Sequence, residues 1–437
     1  MKNRKNAVQG CLLGLAVGDA LGTTLEFAPR DTYEPLIDMV GGGPFQLKPG
    51  QWTDDTSMAL CLADSLLACN RHDPLDQLAR YQRWYQQGEN SVTGYCFDIG
   101  NTVKRALRQY DQSGEPYSGS VDTMSAGNGS LMRLAPIVLF YSQHIVRKAD
   151  ALQQLLNMVA LSSRTTHGEA RAIAACQLMA LLIDKALLID PSLNDGKDAV
   201  LKLTESELSA LDSLPEEIAL IASGTYRHKA RNEIASSGYV VHSLEAALWC
   251  FWHSTSFAEG ALLAANLGGD ADTVTAIYGQ LAGAYYGEEG IPANWLERLA
   301  WRDKLAKLAL SLHDADTCRL PQDSELAELV MHMQGAAVQC EDEQALVLTS
   351  ACYQLGIMQP TGLDWPQASV MMALSSSLTQ SKQERAELID TWSRLDCCCM
   401  LTALIRMDRF CDNLLNGAIC SGLVSMILLR ISRLLEE

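Results

Sequence analysis

Two short acidic turns, each running into an apolar helix, constrain this chain more than any other feature. The first reads Trp52-Thr53-Asp54-Asp55-Thr56 and leads to MALCLADSLL; the second reads Gly268-Gly269-Asp270-Ala271-Asp272-Thr273 and leads to VTAIYGQLAGAYYG. Carboxylates at a helix start gain from the positive end of the helix dipole, but two on one tight turn repel each other. A hard divalent cation resolves the conflict, because carboxylate and hydroxyl oxygens are its preferred ligands. A single turn of this kind reads first as an N-cap. Two of them, each followed by Thr, favour ligation. The fold must then bring together two helix starts that lie far apart in the chain.

The rest of the pattern is helical. A helix over about 7–21 is lined with Gly10, Gly14, Ala16, Gly18 and Ala20, which lets neighbours pack close. Its basic start (Lys2, Arg4, Lys5) mimics a signal peptide, but the apolar run continues as GDALG, so a buried helix is expected. Helical periodicity follows over 57–70, 74–87, 100–111 and 147–161. Ser162 to His167 reads as a loop that places His167 at the start of the next helix. The stretch Gly127-Asn128-Gly129-Ser130 before LMRLAPIVLF reads either as a plain turn or as a glycine-rich backbone feeding a helix N-terminus, the generic cradle for a phosphate. An acidic stretch over 190–217 reads as an insertion of short helices. The Trp249, Phe251 and Trp252 cluster reads as core. One closing helix is expected up to Leu310. Alternating β-branched strands are almost absent, so the expected class is all-α.

Beyond about Ser311 the texture changes. Amphipathic helices are expected over 324–338, 342–354, 366–378, 383–396, 398–409 and 412–435, with Met- and Cys-rich faces and no acidic turn. The chain therefore divides into a catalytic domain over 1–311 and a C-terminal helical domain over 322–437, joined by a linker around 313–321. The uncharged run from Asn413 to Leu429 is at the short edge of what spans a bilayer, and a core helix is expected there instead.

Five separated motifs point one way: GDALGTTLEF (18–27), WTDDT (52–56), GNGSLMRLAP (127–136), THGEA (166–170) and GGDADTVTAIYGQLAGAYYG (268–287). Together they resemble the ADP-ribosylglycohydrolase family, which includes the enzyme that removes ADP-ribose from dinitrogenase reductase and the ADP-ribosylarginine and ADP-ribosylserine hydrolases. The resemblance implies an all-α fold with a binuclear Mg²⁺ or Mn²⁺ centre at the floor of an ADP-ribose cleft. By motif match, Thr53, Asp54, Asp55, Asp270, Asp272 and Thr273 are the metal ligands, and Glu26 lies near the scissile bond. Asn128, Gly129, Ser130 and Met132 match the loop that holds diphosphate and ribose, and His167 matches a ligand-contacting histidine.

Breaking a glycosidic bond at C1 of ribose passes through an oxocarbenium-like state and needs a carboxylate on the water or the leaving group. Glu26 and Asp55 are the candidates, with their roles left open. The expected activity is metal-dependent removal of ADP-ribose from a protein side chain, arginine first. The expected partners are the ADP-ribose moiety of a modified protein and, with it, a counterpart ADP-ribosyltransferase. Two other readings remain at this point: hydrolysis of a small ADP-ribose conjugate, and a protein that binds or neutralises a transferase or its target.

Composition narrows the setting. A formal net charge of −18, from 34 basic against 52 acidic residues, argues against nucleic acid as the main partner. No membrane association is expected. The 14 cysteines fall largely on apolar helical faces without a CxxC pair, which suits a reducing cytoplasm better than a disulfide framework.

Overall fold

Helix α1 (Arg4–Gly22) has almost no exposed face: every residue from Gly10 to Gly22 is buried. Its glycines explain how. Gly10, Gly14, Gly18 and Gly22 recur every four residues and so form one ridge along the helix. Each meets the backbone of the helix at Ala271–Tyr286, with Gly10 against Gly283, Gly14 against Gly279, Gly18 against Thr275 and Gly22 against Ala271. The order is antiparallel, so the C-terminal end of the first helix lies against the N-terminal end of the second. That seam carries the Gly22–Glu26 segment to the Asp270–Asp272 turn.

A computed structural model describes residues 4–142, 151–190, 196–211, 214–315, 323–336, 341–354, 389–390, 397, 400–401, 404 and 418–436. After α1 come α2 (Asp54–Cys69), α3 (Pro74–Gln87), α4 (Asn101–Ser113), α5 (Ala135–Tyr141), α6 (Ala151–Arg164) and α7 (Ala170–Leu188). The acidic insertion holds α8 (Gly196–Leu201), α9 (Glu205–Ala210) and α10 (Glu216–Ala222). Then follow α11 (Val240–Trp252), α12 (Phe257–Ala265), α13 (Ala271–Tyr286), α14 (Ala293–Arg298) and α15 (Arg302–Asp314). Among the described residues there are isolated β-bridges and no strand, so the fold is all-α.

The chain separates into two compact units, Met1–Thr317 and Cys318–Glu437. The first has one continuous core, in which Trp249 and Phe251 are buried. The second contains α16 (Asp323–Ala336), α17 (Glu341–Gln354) and α18 (Leu423–Glu436), with Leu326, Leu329, Leu348, Ile427 and Ile431 in a core of its own. The expected helix over 366–378 and nearly all of those over 383–396 and 398–409 fall outside the described residues, as does most of the expected linker.

Several boundaries differ from expectation. Helix α6 runs to Arg164, so Ser162 and Ser163 are its last turn and not a loop. The single closing helix is two, broken after Arg298, where Trp301 adopts a left-handed φ of 56° and packs edge-on against Trp52 at 5.2 Å. The helix expected over 412–435 is interrupted by a turn at Ser421-Gly422, with Gly422 at φ 76°; residues 412–417 lie outside the described set. The glycine-rich loop at 127–130 does not feed a helix directly. It closes on itself through Leu131 and Met132 N–H donating to the Asn128 carbonyl, and α5 starts only at Ala135.

Candidate active site

The first acidic turn is held by a residue outside it. Asp19, fully buried in α1, accepts from Thr53 N and Oγ1 at 2.9 and 2.8 Å through one oxygen, and from Thr56 N and Oγ1 at 3.0 and 2.7 Å through the other. It thereby caps α2 from a neighbouring helix, which leaves Asp54 and Asp55 free of capping duty; no side chain of the turn caps α2 itself. On the second turn Asp270 is the N-cap of α13 but makes no side-chain cap bond. It accepts instead from Asn128 Nδ2 at 2.5 Å. The cap reading therefore fails for Asp54, Asp55 and Asp270, while Asp272 Oδ1 accepts from the Thr273 N–H in the first turn of α13 at 2.8 Å.

Thr53 Oγ1 marks where they meet. Its hydrogen is donated to Asp19, and the same oxygen lies 3.3 Å from both Asp55 Oδ2 and Asp272 Oδ2. Asp19, Asp55 and Asp272 form one group of converging carboxylates, and Glu26, Asp98 and Asp272 a second. Burial pushes Asp54, Asp55 and Asp272 well above the usual carboxylate range, and the neighbouring acids push them further. Glu26 is pushed up to about 12 by burial first, then by Asp272, Asp98, Asp54 and Asp270. Asp98 is pushed up to about 7, again chiefly by burial. Glu26 Oε2 and Asp55 Oδ1 are buried without a hydrogen-bond partner.

This donor set fits hard divalent cations. Acids about 4 Å apart repel by about 4 kcal/mol at an effective dielectric near 20, and only protons or cations relieve that.

Above the carboxylates lies a cleft of about 390 Å³. Glu26, Asp54, Asp98, Asp270, Asp272, Thr273, Asn128, Gly129, Met132 and His167 all line it. Thr53, Asp55 and Ser130 do not: Thr53 and Asp55 lie beneath the floor, and Ser130 Oγ bonds inward to Ser163 at 2.9 Å. The N-terminus of α4 also faces the cleft through Gly100 to Val103 and has no side-chain cap. No Lys or Arg side chain is among the lining residues.

The loops around the cleft are fixed by long-range hydrogen bonds. Gln280 of α13 donates to the carbonyls of Leu131 and Met132 and accepts from Ala135 N, which sets the 127–135 loop. Arg30 donates to the carbonyls of Leu267, Arg231 and Ile234 at 2.7–2.9 Å and so clamps the base of the second acidic turn.

His167 is buried, not the surface or capping residue that a lone histidine between helices suggests. Arg133, itself buried, donates to Thr166 Oγ1 at 2.6 Å, and that hydroxyl lies 2.9 Å from His167 Nδ1. Arginine can only donate. The arrangement that leaves no buried hydrogen idle has Thr166 donating to Nδ1, which makes His167 a neutral Nε2–H tautomer. Burial, then Arg133, pushes its pKa down to about 3, consistent with a neutral ring. Nε2 borders Gly127 and Gly129, where an added Cβ would press on the ring. We predict that ¹⁵N shifts report the Nε2–H form, and that Thr166→Val mixes the tautomers. A ring found protonated on Nδ1 in the wild type refutes this arrangement.

Two acids of the site were not among the candidate residues. Asp19 had a signal, its place in GDALGTTLEF as a lone carboxylate inside a small-residue apolar helix. Asp98 had none: it sits in a loop at φ 58° and reaches the cluster only through the fold.

Comparison with known proteins fits this geometry. The family model described as ADP-ribosylglycohydrolase matches residues 1–321, and a family of unknown function (DUF6508) matches residues 302–437. The chain is 46% identical over 322 residues to the ADP-ribosylarginine hydrolase Tri1 of Pseudomonas putida (strain GB-1), covering 74% of this chain and 81% of that protein. It is 33% identical over 297 residues to the ADP-ribosyl-[dinitrogen reductase] glycohydrolase of Rhodospirillum rubrum, covering 66% of this chain and 89% of that one. Among solved structures, an ADP-ribosylglycohydrolase-related protein complex superposes with a TM-score of 0.61 at 43% identity, covering 72% of this chain and 99% of its own.

Proposed function

Because the chain belongs to the ADP-ribosylglycohydrolase family, we propose that it is the hydrolase that removes ADP-ribose from arginine side chains of a modified protein. The observation that carries this is the convergence of Glu26, Asp54, Asp98, Asp270 and Asp272 on one cleft with no Lys or Arg side chain among its lining residues. The relative named for ADP-ribosylarginine supports arginine as the acceptor, and the one named for dinitrogen reductase supports a protein as the carrier.

We assign Thr53, Asp54, Asp55, Asp270, Asp272 and Thr273 to holding two Mg²⁺ or Mn²⁺ ions, supported by the unpartnered Asp55 Oδ1 and the converging oxygens around Thr53. Such ions, when bound, polarise an attached water and fix the hydroxyls of a sugar. The remaining work falls to the chain. Hydrolysis exchanges the C1–N bond for a C1–O bond to water, so the water loses a proton and the leaving nitrogen gains one. Glu26 is the group we assign to that transfer, since it lines the cleft while Asp55, the other candidate, lies below it. The diphosphate would be met by the backbone N–H of Gly129, the uncapped start of α4 and the Nε2–H of His167, in place of lysine or arginine, since the N–H groups of Gly127 and Asn128 already donate to the carbonyls of Ser125 and Gly238.

We take residues 1–311 as the catalytic domain and 322–437 as a further helical domain of unassigned role. We also place the reaction in a reducing cytoplasm, where buried thiols such as Cys61 and Cys176 stay reduced, with an ADP-ribosyltransferase as the enzyme that supplies the substrate.

The deciding assay is release of free ADP-ribose from arginine-, serine- and cysteine-linked peptides, with and without chelator. Much faster release from the arginine-linked peptide than from the serine- and cysteine-linked ones, lost with chelator, is expected. Independently of activity, Mg²⁺ or Mn²⁺ should raise the melting temperature by a few degrees, since a ligand at about a hundred times its Kd adds about 2.7 kcal/mol. Asp272→Asn should remove most of that rise. A melting curve indifferent to chelation and re-addition of metal would refute the ion assignment.

A further inference from the structure

Beside Glu26 and Asp98, Phe27 on the cleft wall starts a row of four aromatic rings drawn from two connecting segments, 26–53 and 88–100. Phe27 lines the cleft and is 64% exposed. Its ring lies 6.5 Å from Phe45; Phe45 lies 5.2 Å from Phe97, and Phe97 5.9 Å from Tyr95, which is 61% exposed. Phe97 immediately precedes Asp98.

These rings do little for the core. Aromatic side chains stabilise a fold by leaving water, and Phe27 and Tyr95 largely stay in it. Phe27 also holds a left-handed φ of 60°, a conformation uncommon for a bulky residue, and its N–H is tied to the Gly269 carbonyl at 2.7 Å. The ring is thus fixed at the mouth of an acidic cleft whose lining includes no Lys or Arg side chain.

Resting on the arginine reading above, we propose that this aromatic rim is the acceptor-side subsite: it stacks on the guanidinium and stem of the modified arginine and selects it over hydroxyl-linked ADP-ribose. A guanidinium is planar, cationic and weakly hydrated, so it suits a ring face, and no Lys or Arg side chain lines the cleft to repel it. A serine-linked acceptor offers neither a plane nor a charge.

The test uses full-length protein with Mg²⁺ and one peptide sequence carrying ADP-ribose on arginine or on serine. In the Tyr95→Ser/Phe97→Leu double variant, kcat/KM on the arginine-linked peptide should fall about tenfold, mainly through KM. Turnover of the serine-linked peptide and the Kd for free ADP-ribose should stay within about twofold, and Tyr95→Phe, which keeps the ring, should behave as wild type. The single Tyr95→Ser change is at an exposed position and should give part of the same loss, which separates the effect from misfolding. Unchanged arginine turnover in the variants, an equal loss on both peptides, or weakened ADP-ribose binding overturns the rim while leaving the arginine reading intact. A wild type that cleaves the serine-linked peptide and not the arginine-linked one overturns both.

Discussion

Glu26→Gln is expected to lower turnover by about 10²–10⁴, the usual worth of a positioned acid or base, while leaving ADP-ribose affinity within a few-fold. The backbone around this residue is unusually well determined. Glu26 follows the 3₁₀ turn Thr23–Leu25, and the next residue, Phe27, is pinned to Gly269. The side chain is therefore aimed into the cleft by α1 on one side and by the second acidic turn on the other. It is 6% exposed, and its Oε2 has no partner. A carboxyl group with one idle oxygen, crowded by Asp272, Asp98 and Asp54, is poorly suited to structural support and well suited to exchange a proton with a bound group. Glutamine keeps the shape and the hydrogen bonds but cannot carry the proton. Single-turnover release of ADP-ribose, with calorimetry for binding, separates the two effects. Turnover near wild type would exclude Glu26 from proton transfer and move the assignment to Asp98, the other acid that lines the cleft and is not assigned to an ion.

What the sequence made legible and what it hid have the same physical origin. The acids at 54–55 and 270–272 are readable because each pair sits on one contiguous turn next to a helix. Their meeting is hinted at by Gly10, Gly14 and Gly18, whose spacing announces close packing but not the partner. Asp19 stands in the GDALGTTLEF motif, but its purpose was not legible there, because its four donors lie 34 and 37 residues away. Asp98 comes from a loop with no pattern, so nothing local marks it. The start of α4 escaped for the same reason: a helix N-terminus is easy to read, but which cavity it faces is a tertiary fact. The 127–130 loop reads as a plain turn or as a cradle feeding a helix; in the structure its glycines answer to His167, forty residues on, and not to a helix directly behind them. Helix ends went astray where side chains overrode propensity, as at Trp301, whose packing on Trp52 breaks a run that reads as one helix.

The seam between α1 and α13 should be the least tolerant place in the first unit. Gly14→Ala is expected to destabilise the protein by about 3 kcal/mol or more, although alanine in an ordinary helix interior is favoured over glycine by about 1 kcal/mol. The sign reverses because a methyl group on Gly14 would overlap the Gly279 carbonyl oxygen, and one on Gly279 would overlap that of Gly14. Overpacking against flexible side chains costs about 1–3 kcal/mol because they can turn aside. Here both walls are helix backbone, buried on every side, so the helices themselves must separate. Separation would also pull Glu26 at the end of α1 away from Asp272 at the start of α13. The folded fraction that survives should therefore show a weaker rise in melting temperature with Mg²⁺ than wild type. Denaturant unfolding of Gly14→Ala, Gly279→Ala and the double variant checks this. Because both methyl groups force the same gap, the double variant should lose clearly less than the sum of the singles. A Gly14→Ala protein with wild-type stability would mean that the two backbones do not touch, and that something other than this seam brings the two acidic turns together.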